Sequence, residues 1–209
     1  MMKRGLFISV EGIDGAGKSS HVEFIRDYLE SKGHQVIITR EPGGTVIGEK
    51  IRELLLTSEH MHHTTELLLY FASRQEIIRQ VIVPNLEAGV CVIADRFVDA
   101  SIAYQGGGRN LGVDKVKLVY SLLEPHLTTD ATFLFDVPLD LALDRLSRGR
   151  ELDRIELESR EFFERVQNAY YDLAAAEPKR IKIIMTNHPF HETRAKLMLE
   201  LDELLKKAQ

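Results

Sequence analysis

The stretch Gly12-Ile13-Asp14-Gly15-Ala16-Gly17-Lys18-Ser19 limits what this chain can fold into more than any other. It fits G-x-x-x-x-G-K-S, and it lies between an apolar, β-rich run at 6–10 and a helical pattern with Val22, Ile25 and Leu29 on one face. Strand, glycine loop and helix in that order make a phosphate cradle. Glycines let the backbone curl until successive N–H groups point at one phosphate, and the helix N-terminus adds partial positive charge. Gly12, Ile13, Asp14, Gly15, Ala16, Gly17, Lys18, Ser19 and Ser20 are therefore expected to hold a nucleoside triphosphate. Lys18 should reach its β- and γ-phosphates, and the Ser19 hydroxyl should ligate Mg²⁺.

The remaining pattern fits α/β architecture. Gly33 ends the first helix and Val36-Ile37-Ile38 supplies a second strand, a βαβ unit of the kind that builds parallel sheets. Mainly apolar runs at 90–94, 131–135 and 181–185 add three strands of a kind suited to burial on both faces. Helices are predicted over 64–87, 114–123, 138–148, 158–176 and 191–207. Segments 40–45, 103–112 and 149–155 are rich in glycine or arginine and read as irregular loops that carry function. Neither a linker nor a repeat divides the 209 residues, so 1–209 is expected to be one P-loop NTPase domain. Its predicted form is three layers, α/β/α, around a five-stranded parallel sheet flanked by helices. Cys91-Val92-Ile93-Ala94-Asp95 ends in an acid as a Walker B strand does, which makes Asp95 a second Mg²⁺ residue, partly through water.

A P-loop alone serves switches, motors and kinases. A GTPase switch needs an Asn-Lys-x-Asp guanine reader, which is absent, and the only Asp-x-x-Gly match, Asp14–Gly17, lies inside the P-loop itself. A nucleic-acid motor would be larger and more basic, whereas this chain carries a formal charge of −5. A small-molecule kinase using ATP remains, with a locally basic pocket in an acidic shell.

Further segments then align in order. Thr39-Arg40-Glu41-Pro42-Gly43-Gly44-Thr45, Phe71-Ala72-Ser73-Arg74, Asp95-Arg96-Phe97, Ala103-Tyr104-Gln105-Gly106-Gly107-Gly108-Arg109 and residues 149–156 resemble the bacterial thymidylate kinase family, from Phe7 to about Ala175. The resemblance implies the nucleoside monophosphate kinase fold, usually as a homodimer, and transfer from MgATP to dTMP giving dTDP. It implies that Phe71 stacks on the thymine and that Arg74 bonds its carbonyl edge, with Ser101 and Gln105 completing the base contacts. Tyr104 would lie beneath the deoxyribose, against a 2′-hydroxyl, and Arg40 and Arg96 would grip the monophosphate. Asp14, with Glu11 as a second candidate, is similar to the acid that meets the 3′-hydroxyl or the metal; Tyr170 would close over the nucleotide. Some members carry an arginine inside the P-loop, where this chain has Gly15 and Ala16. The resemblance therefore implies a lid at about 146–157 that supplies the charge, through Arg150 and Arg148 first and Arg154 next, in a run that starts at Arg145.

The remaining features are read more plainly. His60-Met61-His62-His63 is expected to be a solvated interhelical loop, and Cys91, the single cysteine, a core residue of a cytoplasmic protein. The chain opens Met-Met-Lys-Arg-Gly directly into the first strand, so no signal peptide or membrane span is expected. Two alternatives stand beside a dTMP kinase: a kinase for another monophosphate, and a nucleotide-binding module or switch without transfer.

Overall fold

The computed structural model describes residues 4–148 and 152–208. Five short strands, β1 (Phe7–Glu11), β2 (Val36–Arg40), β3 (Cys91–Asp95), β4 (Ala131–Asp136) and β5 (Ile181–Met185), form one parallel sheet in the order β2-β3-β1-β4-β5. Strands β1 and β4 are buried along their whole length, as strands covered on both faces must be, whereas the edge strands β2 and β5 are only half-buried, which corrects the expectation for 181–185. Each such Ile, Val or Phe contributes about 1.5–3 kcal/mol by leaving water.

The register sets the site. Asp95 lies opposite both Val10 and Arg40 in neighbouring strands, so the ends of β1, β2 and β3 are level. The glycine loop after β1, Arg40 and the Asp95-Arg96 pair therefore emerge together at the carboxyl edge. That edge, beside the strand from which the order grows both ways, is where open parallel sheets bind ligands.

The helices are α1 (Ser19–Ser31), α2 (Val46–Thr57), α3 (His63–Ile77), α4 (Val83–Glu87), α5 (Val98–Ser101), α6 (Val113–Tyr120), α7 (Leu139–Ser147), α8 (Arg160–Ala176) and α9 (Phe190–Ala208). Helix α1 buries Val22, Ile25 and Leu29, the stripe its spacing predicted, together with His21. Three expectations are corrected. The single helix over 64–87 is interrupted by a π-helical turn, Ile78–Ile82, because Pro84 has no N–H with which to continue the i→i−4 ladder. Residues 103–112 are an irregular loop only from 109 onward: Ile102–Gly108 is π-helical. Its glycines serve close packing, since a Cβ at Gly108 would lie 2.5 Å from the Phe162 ring and one at Gly107 2.7 Å from the Ala169 side chain, both on α8. Helix α2 was not expected at all; the Thr45 hydroxyl caps it by accepting from the Gly48 N–H.

Candidate active site

The glycine loop leaves β1 in a conformation that side chains would block. Gly12 (φ +132°) and Gly15 (φ +81°) sit where a Cβ would come 2.2 Å from the Phe135 carbonyl oxygen and 2.3 Å from that of Ala142. Lys18, almost fully buried, donates from Nζ to the carbonyls of Gly12 (3.0 Å) and Ile13 (2.9 Å) and lies 3.7 Å from Asp14. Burial and the neighbouring Arg96 pull its pKa below the ordinary lysine value.

Arg96 leaves β3 with φ +73°, a conformation that costs a non-glycine residue of order 1–3 kcal/mol and clusters at functional sites. Its backbone N–H is held by Val10, and its guanidinium reaches the Gly12 carbonyl (2.9 Å) and Asp14 Oδ1 (2.7 Å). The same guanidinium lies 4.9 Å above the Tyr104 ring, and Tyr104 Oη donates to Asp14 Oδ2 (3.2 Å). Burial pushes the Asp14 carboxyl up, but Arg96 and Lys18 outweigh it and hold its pKa below the usual carboxylate range.

Two cavities meet at this cluster. The first is lined by Tyr70, Arg74, Ser101, Tyr104 and Gln105 among others. The second lies over the glycine loop and is lined by Gly15, Gly17, Lys18, Ser19, Ser20, Arg40, Asp95 and Arg145. Asp14, Glu41, Arg52, Arg96 and Glu156 border both.

In the first cavity Arg74 is 1% exposed and bonded through Nε and Nη2 to Glu41 Oε2 (2.7 and 2.6 Å) and through Nη2 to the Phe97 carbonyl (3.0 Å). Its Nη1, Glu41 Oε1 and Ser101 Oγ are buried with no partner among the described residues. Such orphans are costly unless a ligand meets them. Phe71 requires correction. It is core, packed under the Arg74 guanidinium (4.6 Å to the ring) and near Tyr120, and the α3 aromatic in the cavity wall is Tyr70. Tyr70 and Phe71 lie four and three residues before Arg74 and both neighbour it on α3, but adjacent residues of a helix point about 100° apart, and it is Tyr70 that turns to the cavity and Phe71 to the core.

Glu11 and Tyr170 also lie behind the cavity rather than in its wall. Tyr170 Oη donates to Glu11 Oε2 (2.9 Å), the Phe97 N–H donates to Oε1 (2.7 Å), and the Tyr170 ring meets Tyr104 edge-on. Burial, with a further push from Asp99, raises the Glu11 pKa from 4.5 to about 8, against Arg96 and these two hydrogen bonds. The folded chain therefore binds this proton more tightly than the unfolded one. The resulting stability is fully present below about pH 4.5 and is lost as pH rises through about 8. Glu11→Gln is expected to flatten the fall of Tm across that window; an unchanged slope would assign it elsewhere.

The arginines divide differently from expectation. Arg148 is exposed and paired with Asp144 (2.6 Å), outside both cavities. Arg154 bonds Glu66 (2.7 Å) and the Leu55 carbonyl (2.9 Å) and so ties its segment to α2 and α3. Arg150 lies outside the described residues. Arg40 borders the loop-side cavity only, paired with Glu49 (2.9 Å). Arg52, which the sequence reading passed over, donates to the Pro42 carbonyl (3.0 Å) and borders both cavities; a cap at Thr45 followed by helix is the signal that would have found it. Arg145 donates to the Gly15 carbonyl (3.1 Å) at the loop's mouth. His60, His62 and His63 are exposed, and His62 Nδ1 caps α3 by accepting from the Thr64 N–H.

Asp95 Oδ1 is buried with no hydrogen-bond partner among the described residues, and it shares the loop-side cavity with the exposed Ser19 hydroxyl. Hard oxygen donors, few from protein, suit Mg²⁺ bound together with phosphates.

Residues 10–197 match the family model described as thymidylate kinase. The chain belongs to the thymidylate kinase family. The thymidylate kinase of Bordetella pertussis is 51% identical over 208 residues, the whole of both chains. That of Methylobacillus flagellatus is 50% identical over 195 residues, 93% of this chain and 96% of its own. Among solved structures, the crystal structure of thymidylate kinase from Ehrlichia chaffeensis aligns with a TM-score of 0.78 at 31% identity, covering 95% of this chain and 99% of that one. The parallel sheet of five strands is thus the P-loop fold of this family, and the chain is an enzyme of the nucleoside monophosphate kinase class.

Proposed function

We propose that this chain transfers the γ-phosphoryl group of MgATP to dTMP, yielding ADP and dTDP on the route to dTTP. The observation that carries this reading is Arg96, which borders both cavities and braces the glycine loop and Asp14 at once. An oxygen of the dTMP phosphate attacks the γ-phosphorus as its bond to the β-bridging oxygen breaks, and ADP leaves. No general base is needed, because a phosphate monoester with a second pKa near about 6 is already a dianion at neutral pH. The work left is alignment and neutralisation of charge on the equatorial oxygens, by Lys18, Arg96, Arg145 and the lid at about 146–157 with Arg150. Ser19 and Asp95 would hold Mg²⁺, partly through water; when bound it neutralises charge on the β- and γ-oxygens. Tyr70 offers a ring to stack on thymine, Arg74 Nη1 a donor for a ring carbonyl, and Tyr104 and Asp14 the floor and partner of the deoxyribose. Residues 1–209 act as one domain.

ADP production by the purified protein with MgATP, against dTMP, dUMP, UMP, dCMP, AMP and GMP, tests the reading. Strong turnover with dTMP and weaker turnover with dUMP are expected, since a methyl group is worth about 1–3 kcal/mol. ADP release without an acceptor would contradict it. Tyr70→Ala should raise the KM for dTMP about tenfold, the scale of one base–aromatic stack. Phe71→Ala should instead cost about 3–5 kcal/mol of stability with KM little changed. The reverse pattern would restore Phe71 to the pocket.

Two further assignments rest on surface features. Leu54, Leu68, Leu118 and Leu122 are exposed on and beside α2, α3 and α6, neighbouring helices, and such apolar surface suits a second copy of this chain. Leu118→Glu is expected to halve the mass measured by light scattering; a single-chain mass for the unmodified protein would refute the homodimer. The buried free thiol of Cys91 suits a reducing cytoplasm, and among the described residues no helix is long and apolar enough to cross a membrane. Recovery of the protein in the membrane fraction would count against that location.

A further inference from the structure

Glu66, in the first turn of α3, is fully buried, and the transfer chemistry does not use it. Its two oxygens nevertheless accept four hydrogen bonds from three side chains. Oε1 accepts from Gln105 Nε2 (2.9 Å) and Arg109 Nε (3.1 Å); Oε2 accepts from Arg109 Nη2 (3.1 Å) and Arg154 Nη1 (2.7 Å). Arg109 also pairs with Glu158, so the cluster joins α3, the π-helical segment and the chain leading into α8. Burial pushes the Glu66 pKa up, but the bonds from Arg109 and Gln105 and the nearby positive charge prevail and keep it ionised.

An ionised carboxylate can only accept hydrogen bonds. Gln105 must therefore turn its NH₂ toward Glu66, and what it offers the cavity it lines is its carbonyl oxygen. Arg74, in the same wall, offers the opposite, a buried Nη1 donor with no partner among the described residues. An acceptor beside a donor is the complement of a ring edge that carries N–H next to C=O. Thymine and uracil present that edge; cytosine presents a bare ring nitrogen next to an amino group, which is mismatched at both positions.

We propose that Glu66 is a positioning residue for acceptor selection: it locks the Gln105 amide with its carbonyl toward the cavity, so that the pocket takes an imide-edged pyrimidine monophosphate and rejects the cytosine counterpart. The inference rests on the dTMP reading above. Without the lock, the Gln105 amide can rotate and satisfy either edge, and selectivity falls even though every group touching the base is still present.

The test is the ratio of kcat/KM for dTMP to that for dCMP, with Tm measured alongside. In Glu66→Gln the partner can itself donate or accept, so Gln105 is free to turn. The ratio is expected to fall roughly tenfold, chiefly through KM, on the scale set by one hydrogen bond in a buried site. Gln105→Leu should lower it comparably, and the double variant should fall no further than either single one. Should Glu66→Gln fail to fold for want of its pairs with Arg109 and Arg154, Glu66→Asp keeps the charge but withdraws the carboxylate from Gln105, and the ratio should again fall. A lower Tm with an unchanged ratio, in either Glu66 variant that folds, overturns the proposal. An unmodified enzyme that does not turn over dTMP overturns the underlying reading instead.

Discussion

Replacing Lys18 by Met is expected to lower kcat for ADP formation by about 10³-fold or more while the protein stays folded. Met keeps the length and most of the apolar stem but removes the ammonium. In the fold that ammonium makes two hydrogen bonds, both to loop carbonyls, worth about 1 kcal/mol each against a typical total stability of about 5–15 kcal/mol. On the proposed reading it faces the charge that builds on the γ-phosphoryl oxygens, where a fixed cation counts most. Kinetics and a thermal melt on the same preparation separate the two. A variant with near-normal kcat would remove the glycine loop from the chemistry, and a variant that unfolds would show that Lys18 holds the loop together.

Arg96 is the second large effect, and the informative replacement is Lys. The guanidinium makes three contacts at once: it donates to the Gly12 carbonyl, donates to Asp14 Oδ1 and lies over the Tyr104 ring. A lysine keeps the charge but has neither the fork nor the face, so kcat/KM is expected to fall about 10²–10³-fold although net charge is unchanged. The positive φ is common to wild type and variant and cancels from the comparison. Arg96→Met should lose stability as well, with a pH signature. Asp14 has its pKa depressed mainly by Arg96 acting against burial, so its contribution is present above its unfolded pKa near 3.8 and is lost as pH falls. The Tm deficit of Arg96→Met should therefore be large at pH 7 and narrow below about pH 4. A deficit that does not change with pH would mean that the Asp14–Arg96 pair does not stabilise the fold.

These residues were legible in the sequence for a physical reason. A loop that must present its backbone to phosphate leaves glycines at fixed spacing, and a strand buried on both faces leaves an unbroken apolar run; neither pattern depends on distant partners. Helix α2 was missed because its stripe is blurred. Val46, Ile47 and Leu54 are apolar yet exposed, and Gly48, a poor helix former, stands in the first turn, where a Cβ would come 2.7 Å from the Gly43 carbonyl oxygen. Missing α2 hid Arg52 with it. Tyr70 went unread beside Phe71, and helical phase separates the two: adjacent aromatics point about 100° apart, and of this pair only Tyr70 lines the cavity. The glycines at 106–108 signal a loop in any local reading, because the ring of Phe162 and the methyl of Ala169 that demand them lie some fifty residues further along the chain. The roles of Arg148 and Arg154 could not be read from charge: what distinguishes them is whether a carboxylate, Asp144 or Glu66, has already claimed the guanidinium.

The central claim is that one phosphoryl group passes directly from ATP to dTMP. It is tested most directly by incubating the unmodified protein with Mg²⁺, ATP labelled in its γ-phosphate and dTMP, and following where the label goes. The account predicts label in dTDP in step with ADP, and almost no labelled inorganic phosphate while dTMP is present. Label released as inorganic phosphate, at a rate indifferent to dTMP, would contradict it.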